Sequence, residues 1–429
     1  MALLRTRARF AFTPCTCSST SPLLRRQLST SPRSFAPFLF TSLPSRAVIP
    51  IQGKDATKLL QGLVSNDVAR LEKGETRALY AAMLKADGRM LHDIFLFPSS
   101  AASPPAPSSA DNPTPPTPSY LLDHPSSSTD SIRKYLKRHI LRSKVKLPKP
   151  VEGEEGKVMV AWRNREEEIT EQQVDEAREW LEAKVGAGRD GRVEGMGWRW
   201  CATPGEPSAE EPSSYLFEQT TPHHYHLHRL SHAVPEGPED FPPLPLEANL
   251  DFMGGVDYKK GCYVGQELTA RTHHKGVVRK RGVGVRLFRE GEDIPTTLLP
   301  EGALVPYPSL FPLPPPGSSL TLLHSTSSRP RPSGKLGSSL PLLSHSGLST
   351  ITLGFASVRL EHLEAQGEGP EADELKGVFV VKPPKNEDGE VGHGEGESEE
   401  MGGRWLARAF RSEWLEGKLE EEERGSLGS

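Results

Sequence analysis

One cysteine of this chain has neighbours that favour chemistry. Cys262 follows Lys259, Lys260 and Gly261, and Gly265 comes three residues later. Glycines permit a tight turn that leaves a sulfur exposed, and ammonium groups beside it favour the thiolate. Such a sulfur is a nucleophile or a soft metal ligand, and the alternative is a small buried hydrophobic side chain. No acid or base is fixed beside Cys262 in the sequence, so nothing indicates a cysteine hydrolase.

Histidines form two further candidate groups. The first group consists of His223, His224, His226, His228 and His232. Its alternate members predict one face of a strand, and no acid or cysteine follows at ligand spacing, so a polar surface strand is favoured over a metal site. The second group, His273-His274, begins eleven residues after Cys262. Either ring could supply nitrogen to a metal or be a hydrogen-bonded structural residue.

A basic run follows the second histidine group. It consists of Lys275, Arg279, Lys280, Arg281 and Arg286. Single-stranded nucleic-acid sites combine such cations with stacking aromatic residues, which this run lacks, and the whole chain has a net charge of −4. We therefore expect no nucleic-acid partner, and we predict a docking face for an acidic partner or ligand.

Mixed elements must position these residues. Asp55 can cap a short helix that ends at Gly62, and Asp87-Gly88 predicts a hairpin between residues 78–84 and 89–97. Helical spacing predicts two more helices, and short β-like runs predict strands. The helices cover residues 130–140 and 169–181, and the strands cover 145–147, 282–288, 349–360 and 378–382. The order is α+β first and mostly β afterwards.

Length and composition limit the class of protein. The chain has 429 residues, of which 35% are hydrophobic, enough for a sizeable core. Four cysteines in this length exclude a disulfide framework. No stretch of about eighteen apolar residues occurs, so we expect no membrane span.

Residues 1–28 are predicted to be a mitochondrial presequence. No Asp or Glu precedes Asp55, whereas Arg5, Arg7, Arg9 and further arginines stand among many Ser and Thr. An acid-free basic segment of this kind is typical of import signals, and the alternative is a basic arm that stays on the protein.

Three segments are predicted to be insertions. Residues 98–119 contain eight Pro and six Ser, which predicts disorder because such a segment buries little apolar surface. Residues 306–347 are rich in Pro and Ser, and residues 385–400 are acidic and rich in Gly. Both are predicted to be solvated surface insertions.

The segment around Cys262 resembles a family signature. Lys260-Gly261-Cys262-Tyr263, then Gly265-Gln266-Glu267, is similar to the signature of the YgfZ-type branch of the aminomethyltransferase-like (GcvT-type), folate-binding family. The continuation LTARTHH and the upstream segments 228–229, 234–237 and 245–250 are similar to that branch in order and spacing.

Two positions depart from the family pattern. Ala233 stands where the family usually has Gly. True aminomethyltransferases carry two adjacent acids at the hairpin, where this chain has His92-Asp93. The missing carboxylate weakens the case for one-carbon transfer, since proton handling needs a positioned acid or base.

The resemblance implies an α+β, three-lobed aminomethyltransferase-like folate-binding fold around a central channel, with a C-terminal β-barrel. We place the folate-binding α+β region at residues 47–281 and the barrel domain at residues 282–429.

The resemblance also implies a function in the mitochondrial matrix. The family's factor works with A-type iron–sulfur carrier proteins in the maturation of 4Fe–4S proteins such as aconitase and lipoate synthase. Cys262 would then be the metal ligand in a transient 2Fe–2S cluster shared with the carrier, and Cys201 would be structural. One cysteine cannot fill four positions, so the other ligands must come from elsewhere. We assign no catalytic residue.

Tetrahydrofolate is the cofactor that the resemblance implies. Asp93 and Glu247 would hydrogen-bond the pterin, and Arg271 would meet a folate carboxylate, while fold-stabilising contacts are the alternative for each. The basic run could also receive folate's glutamyl tail. Two other functions stay open, a tetrahydrofolate-dependent aminomethyl transferase and a folate-binding protein without chemistry. The exposed thiolate and His92 favour the assembly factor.

Overall fold

Three β-sheets and the helices beside them form the part of the chain that the structure describes. The computed structural model describes residues 36–99, 117–149, 153, 155–165, 167–210, 212–300, 302, 304–307, 312–323, 331–344, 350–363, 376–384 and 403–427. The presequence 1–28, the acidic segment 385–400 and most of segment 98–119 lie outside these residues. Those assignments therefore stay predictions.

The elements follow one another in mixed order. The strands are β1 (Phe38–Ser42), β2 (Arg46–Gln52), β3 (Leu79–Leu84), β4 (Met90–Pro98), β5 (Ser119–Pro125), β6 (Lys157–Arg163), β7 (Gly188–Arg189), β8 (Trp198–Ala202), β9 (Phe217–Gln219), β10 (Lys280–Arg289), β11 (Leu304–Pro306), β12 (Ser319–Leu322), β13 (Gly334–Ser344), β14 (Thr350–Arg359), β15 (Val378–Lys382) and β16 (Trp405–Phe410). The helices are α1 (Ala56–Leu63), α2 (Ala69–Glu72), α3 (Thr129–Ile140), α4 (Glu171–Arg178), α5 (Pro222–Ser231), α6 (Gln266–Lys275) and α7 (Glu413–Leu427). Among the described residues, no helix is both long and apolar enough to cross a bilayer.

The first sheet has the strand order β2-β5-β4-β3 and contains the predicted hairpin as β3 and β4. Side chains alternate across a strand, and here both faces are buried. Leu79, Ala81 and Met83 pack in the cluster that includes α1 and α3. Tyr80 and Ala82 pack in the cluster that includes β6 of the second sheet. The sheet is therefore an inner layer between helices and a second sheet.

The second sheet has the order β7-β8-β6-β1-β9. Helix α4 and the π-helical turn Glu179–Lys184 that follows it account for the helix predicted over residues 169–181. The helix begins at Thr170, whose side chain forms a reciprocal capping box with Gln173. Cys201 lies on β8 and is buried, as predicted for a structural cysteine.

Six of the seven strands of the third sheet close into a β-barrel, because β13 pairs with both β12 and β14, and β11 pairs with β13 alone. Two of its strands, β12 and β13, lie in residues 306–347, which the composition predicts to be a surface insertion. That prediction is wrong for these strands, since Leu320, Leu336 and Leu342 are buried. The intervening Ser and Pro give the segment the composition of a linker, and the alternating leucines still supply one apolar face.

The first histidine group lies on a helix, so its prediction as a strand is wrong. Helix α5 begins after Thr221 with a proline at its first turn, a position that proline favours. Its buried residues Tyr225, His228 and Arg229 recur at helical spacing. The histidines at alternate positions match the period of a strand, but the buried residues of this segment follow the period of a helix.

Two polar contacts attach the barrel to the preceding lobes. The side chain of Asn249 bonds both the N–H (3.2 Å) and the carbonyl (2.8 Å) of Gly282 on β10. Asp240 accepts the backbone N–H of Ser338 on β13 at 2.7 Å and also pairs with Arg229 of α5. The signature segment lies between Asn249 and Gly282 in sequence, so the chain is anchored both before and after it.

Candidate functional site

The signature segment is a turn that leads into α6. Asp257 organises its start, because its Oδ1 accepts hydrogen bonds from the backbone N–H groups of Lys259 (2.7 Å) and Lys260 (3.1 Å). The N–H of Asp257 in turn donates to the carbonyl of Ser65 at 3.0 Å. The backbone just before Cys262 is thus fixed to the first lobe.

Lys260 anchors the turn to the end of α1. Its Nζ donates to the carbonyl oxygens of Gln61 (2.8 Å), Val64 (2.6 Å) and Asn66 (2.8 Å). These carbonyls lack partners within the helix, and a cation at a helix C-terminus is favoured by the helix dipole. Burial lowers the pKa of Lys260 to about 8. The sequence assigns this ammonium to the thiolate, whereas in the structure it donates to one carbonyl in the last turn of α1 and to two carbonyls just after the helix.

Two glycines bring the hairpin turn and the signature turn into backbone contact. Gly265 has a φ of +82°, and a Cβ there would lie 2.4 Å from the carbonyl oxygen of Lys85. Gly88 has a φ of +80°, and a Cβ there would lie 2.4 Å from Cβ of Leu268. Only glycine accepts both the left-handed backbone and this approach. The Asp87-Gly88 hairpin therefore supports the turn that carries Cys262.

Cys262 is exposed and Cys201 is buried, and both are free thiols. Burial raises the pKa of the Cys201 thiol. A buried neutral thiol is a poor nucleophile and a poor ligand, whereas an exposed thiol can reach a partner. The structure thus separates the two cysteines by their exposure.

The remaining signature residues begin α6. The side-chain oxygen of Gln266 accepts the N–H of Tyr263 at 3.2 Å, and the hydroxyl of Tyr263 lies 3.0 Å from the hydroxyl of Thr269. Glu267 points to solvent in the first turn of α6. Tyr263 and Gln266 are therefore structural, and Glu267 lies on the surface.

The second histidine group lies at the other end of α6. His273 stacks on Tyr258 with ring centroids 3.7 Å apart, and His274 is also exposed. The helix rises about 10 Å between Gln266 and His273, so neither imidazole adjoins the first turn of α6. The stack supports the structural interpretation of His273.

A buried chain of charges joins the first and second sheets, and the sequence did not indicate it. Arg46 pairs with Asp93 (2.7 Å) and Asp123 (2.7 Å), and Arg199 pairs with Asp123 (2.6 Å) and Glu236 (2.9 Å). Every side chain of this network is at most 6% exposed. Such groups persist in a core only when they are paired, so the network fixes the lobes together. The signal available in the sequence was the Pro-Glu-Gly run at residues 235–237, which contains Glu236 of this network.

The network determines the charge state of Glu236. Burial alone would raise the pKa of its carboxyl, but Arg199 and Arg192 hold that pKa well below its usual range. A cavity of about 390 Å³ adjoins the network and is lined in part by Arg46, Tyr225, Arg229 and Glu236.

The three folate candidates lie in different settings. Both oxygens of Asp93 are bonded, Oδ2 to Arg46 and Oδ1 to the N–H of Gly237 at 3.2 Å, and the side chain is buried, so this carboxylate already has protein partners. Glu247 is partly exposed and lies 3.6 Å from Nζ of Lys280, which leaves it able to accept further hydrogen bonds. Arg271 is exposed on α6.

The histidines do not assemble a metal site in the described part of the chain. Among those residues, no three His, Cys, Asp or Glu side chains stand close enough together to hold an ion. On α5, His226 bonds Ser338 at 3.1 Å and His228 stacks on Trp162. Both rings have structural partners.

Comparisons with known proteins agree on one family, although no family model matches the chain. The chain is 34% identical over 301 residues to the mitochondrial iron–sulfur cluster assembly factor IBA57 homolog of Coccidioides immitis, covering 68% of this chain and 67% of the relative. The Mycosarcoma maydis homolog is 35% identical over 66% of this chain and 64% of its own length. The Phaeosphaeria nodorum homolog is 32% identical over 72% and 69%. The chain therefore spans about two thirds of the length of these relatives.

A solved structure shows the same fold. The glycine cleavage system aminomethyltransferase T from Bartonella henselae superposes with a TM-score of 0.52 at 11% identity, covering 89% of this chain and 87% of that one. At this identity the likeness concerns the fold alone, and it confirms the predicted α+β, aminomethyltransferase-like architecture. Because the curated relatives match across about two thirds of their length, the chain belongs to the family of mitochondrial IBA57-type iron–sulfur cluster assembly factors.

Proposed function

We propose that this protein assembles iron–sulfur clusters in the mitochondrial matrix together with A-type carrier proteins, for 4Fe–4S proteins such as aconitase and lipoate synthase. The observation that carries the proposal is the exposed thiol of Cys262 on a turn held by its neighbours. The names of the relatives support the same function. The cluster is cargo in this proposal, and residues 1–28 are the presequence that directs the chain to the matrix.

Cys262 would act as one ligand of a 2Fe–2S cluster whose other ligands come from the carrier. Thiolate is the ligand that such clusters prefer, and four positions require donors from more than one residue. No carboxylate or imidazole of the described residues is hydrogen-bonded to its sulfur, which favours a ligand over a catalytic nucleophile. Lys260 and Gly265 would position the thiol through the backbone.

The decisive experiment compares the two cysteines. Cys262→Ser keeps the side-chain size and removes the soft ligand, so it should abolish the shared cluster absorbance when the protein is mixed anaerobically with its A-type carrier and a 2Fe–2S source. Cys201→Ala is the matched control and should leave that absorbance unchanged. In cells lacking the protein, Cys201→Ala should restore aconitase activity and Cys262→Ser should not. Full cluster formation by Cys262→Ser would refute the assignment.

Tetrahydrofolate binding is a separate part of the proposal, and the aminomethyltransferase fold supports it. Glu247 and Arg271 fit a pterin and a carboxylate because both side chains retain free hydrogen-bonding capacity, whereas Asp93 is already paired. Glu247→Ala should weaken tetrahydrofolate binding by about 1 to 3 kcal/mol, as expected for a lost charged hydrogen bond. Titration calorimetry measures this change, and absence of heat at millimolar folate would contradict it.

The aminomethyl transferase alternative is not favoured. The matching relatives bear the name of an assembly factor, and the likeness to the aminomethyltransferase concerns the fold alone. In addition, Asp93 is committed to Arg46, and His92 replaces the second acid.

A further inference from the structure

We propose that the exposed cations on and around α6, the helix that follows Cys262, form an electrostatic docking surface for an acidic protein partner. We call it the α6 surface and define it by Lys259, Arg271, Lys275, Val277 and Arg279. The inference rests on the proposed function, since it describes the face that an A-type carrier would contact.

The charge of this surface differs from that of the whole chain. Residues 259–280 contain six Lys and Arg and one Glu, although the chain has a net charge of −4. Lys259, Arg271, Lys275 and Arg279 are exposed, and none has a carboxylate within salt-bridge distance among the described residues. Unpaired cations concentrated in one exposed segment attract a partner of opposite charge.

The structure sorts the basic run that the sequence presented as one group. Arg281 points inward and pairs with Asp251 at 2.7 Å, and Arg286 is half-buried on β10. Lys280 lies 3.6 Å from Glu247. Only Lys275 and Arg279 of that run remain free on the surface.

An apolar side chain lies between these cations in sequence. Val277 is 81% exposed, one of the most exposed large hydrophobic residues among those described. It follows α6 and precedes β10, between Lys275 and Arg279. An apolar contact surrounded by charges is the usual anatomy of a protein interface.

The segment before Cys262 is attached to the last turn of α6. Tyr258, four residues before Cys262, stacks on His273 in the last turn of α6 with centroids 3.7 Å apart. The segment before the thiol and the end of α6 therefore move together. A partner seated on the α6 surface would lie on the helix that begins four residues after Cys262.

The occupant to which we commit is a folded protein with an acidic face and an apolar residue for Val277. Nucleic acid is disfavoured, because Tyr258 is stacked on His273 and the surface includes no free aromatic ring for a base. The carrier of the proposed function is the probe that tests this choice.

Charge reversal with a matched control tests the surface. The test variant is Arg271→Glu/Lys275→Glu/Arg279→Glu, and the control is Lys134→Glu/Lys137→Glu/Arg138→Glu, which changes three exposed cations of α3 by the same amount. At 50 mM salt the test variant should bind the cluster-free carrier about tenfold or more weakly, and the control within about twofold. Wild-type affinity should fall about tenfold when salt rises to 300 mM. Equal losses in both variants, or no loss in the test variant, would overturn the proposal.

A second variant avoids the helix in case the triple change unfolds α6. Lys259→Glu/Arg279→Glu lies outside α6 and should weaken carrier binding about threefold or more. A 20-nucleotide single-stranded RNA should bind neither the wild type nor the triple variant. If the wild type bound this RNA and the triple variant did not, the partner of the surface would be RNA and not a protein. Cys262→Ser should bind the cluster-free carrier as the wild type does. If Cys262→Ser lost the cluster but bound the carrier normally, its defect would thus concern the ligand alone. If the triple variant formed the cluster normally, only the docking surface would be contradicted.

Discussion

Lys259 and Lys260 are adjacent in sequence and have different roles. The side chain of Lys259 is exposed, whereas Lys260 reaches three carbonyl oxygens at the end of α1. The sequence identified the signature but could not separate the two lysines, because the acceptor Gln61 lies 199 positions away. Only the tertiary fold decides which ammonium group is used for anchoring.

This difference gives a prediction for residue replacement. Lys260→Met keeps the aliphatic stem and removes the donors, so three partly buried carbonyls lose their partner and the free energy of unfolding should fall by about 2 to 3 kcal/mol. Lys259→Met should change it by less than about 0.5 kcal/mol, as at other exposed sites. Urea unfolding of both variants measures the difference. Equal stabilities would show that Lys260 does not anchor the turn.

Asp93 illustrates a second limit at the scale of residues. Its place on the hairpin could be predicted, and its pairing with Arg46 at 2.7 Å could not, because the two residues are 47 positions apart. A polar residue in a family pattern therefore indicates that a site exists, while its neighbours decide whether it faces ligand or protein.

At the scale of elements, the hairpin turn was a reliable signal, whereas a predicted helix cap and the composition were misleading. Asp87-Gly88 located the β3–β4 hairpin. Asp55 was predicted to cap α1 and does precede it, but its side chain makes no capping hydrogen bond and accepts the backbone N–H of Lys144 at 2.7 Å instead. The Ser and Pro content led to a wrong prediction for β12 and β13, and the alternate histidines predicted a strand where α5 lies. Ala233, which departs from the family glycine, has a φ of +53° in the structure. The family preference there reflects a left-handed backbone.

The contact between the two turns gives the prediction for elements. Gly265→Ala would place a Cβ 2.4 Å from a carbonyl oxygen at a φ of +82°, so the free energy of unfolding should fall by about 2 kcal/mol or more. Gly261→Ala is the control in the same turn, since nothing lies within 4 Å of its Cβ position, and it should be nearly neutral. Thermal unfolding of both variants tests this. Similar losses would mean that the whole turn, and not the hairpin contact, limits stability.

At the scale of the whole molecule, buried titratable groups predict how stability depends on pH. Burial lowers the pKa of His226 and His228, and it lowers the pKa of His92 to about 4. In the unfolded chain these rings titrate near pH 6.5, so below that pH the unfolded state binds more protons and stability falls as pH is lowered. Each fully buried ring contributes up to about 1.4 kcal/mol per pH unit.

Urea unfolding between pH 7.5 and 4.5 measures this slope. The free energy of unfolding should be highest above pH 7 and should decrease steadily below pH 6.5. His92→Gln should reduce the slope, because one proton fewer is taken up on unfolding. At still lower pH, protonation of Glu236 should add a further loss, since its folded pKa lies below the usual range. A flat profile from pH 7 to 5 would contradict the burial of these rings.

The ionic network shows why the centre of the molecule escaped sequence-based prediction. Arg46, Asp123 and Arg199 come from three strands in two sheets, and no local pattern relates them. The family resemblance predicted the fold that brings these strands together, but physical patterns alone predicted only its parts.

Closure of the barrel has a consequence for how the protein is delivered. Strand β10, which follows α6, pairs with β14 and with β16, and β16 ends at Phe410, near the C-terminal end of the described chain. A chain threaded through a membrane with its N-terminus first presents β10 more than a hundred residues before β16. During that interval one edge of β10 has no partner strand and offers a template for unwanted pairing. Protection of that edge by a chaperone on the receiving side of the membrane would thus matter until β16 emerges and closes the barrel.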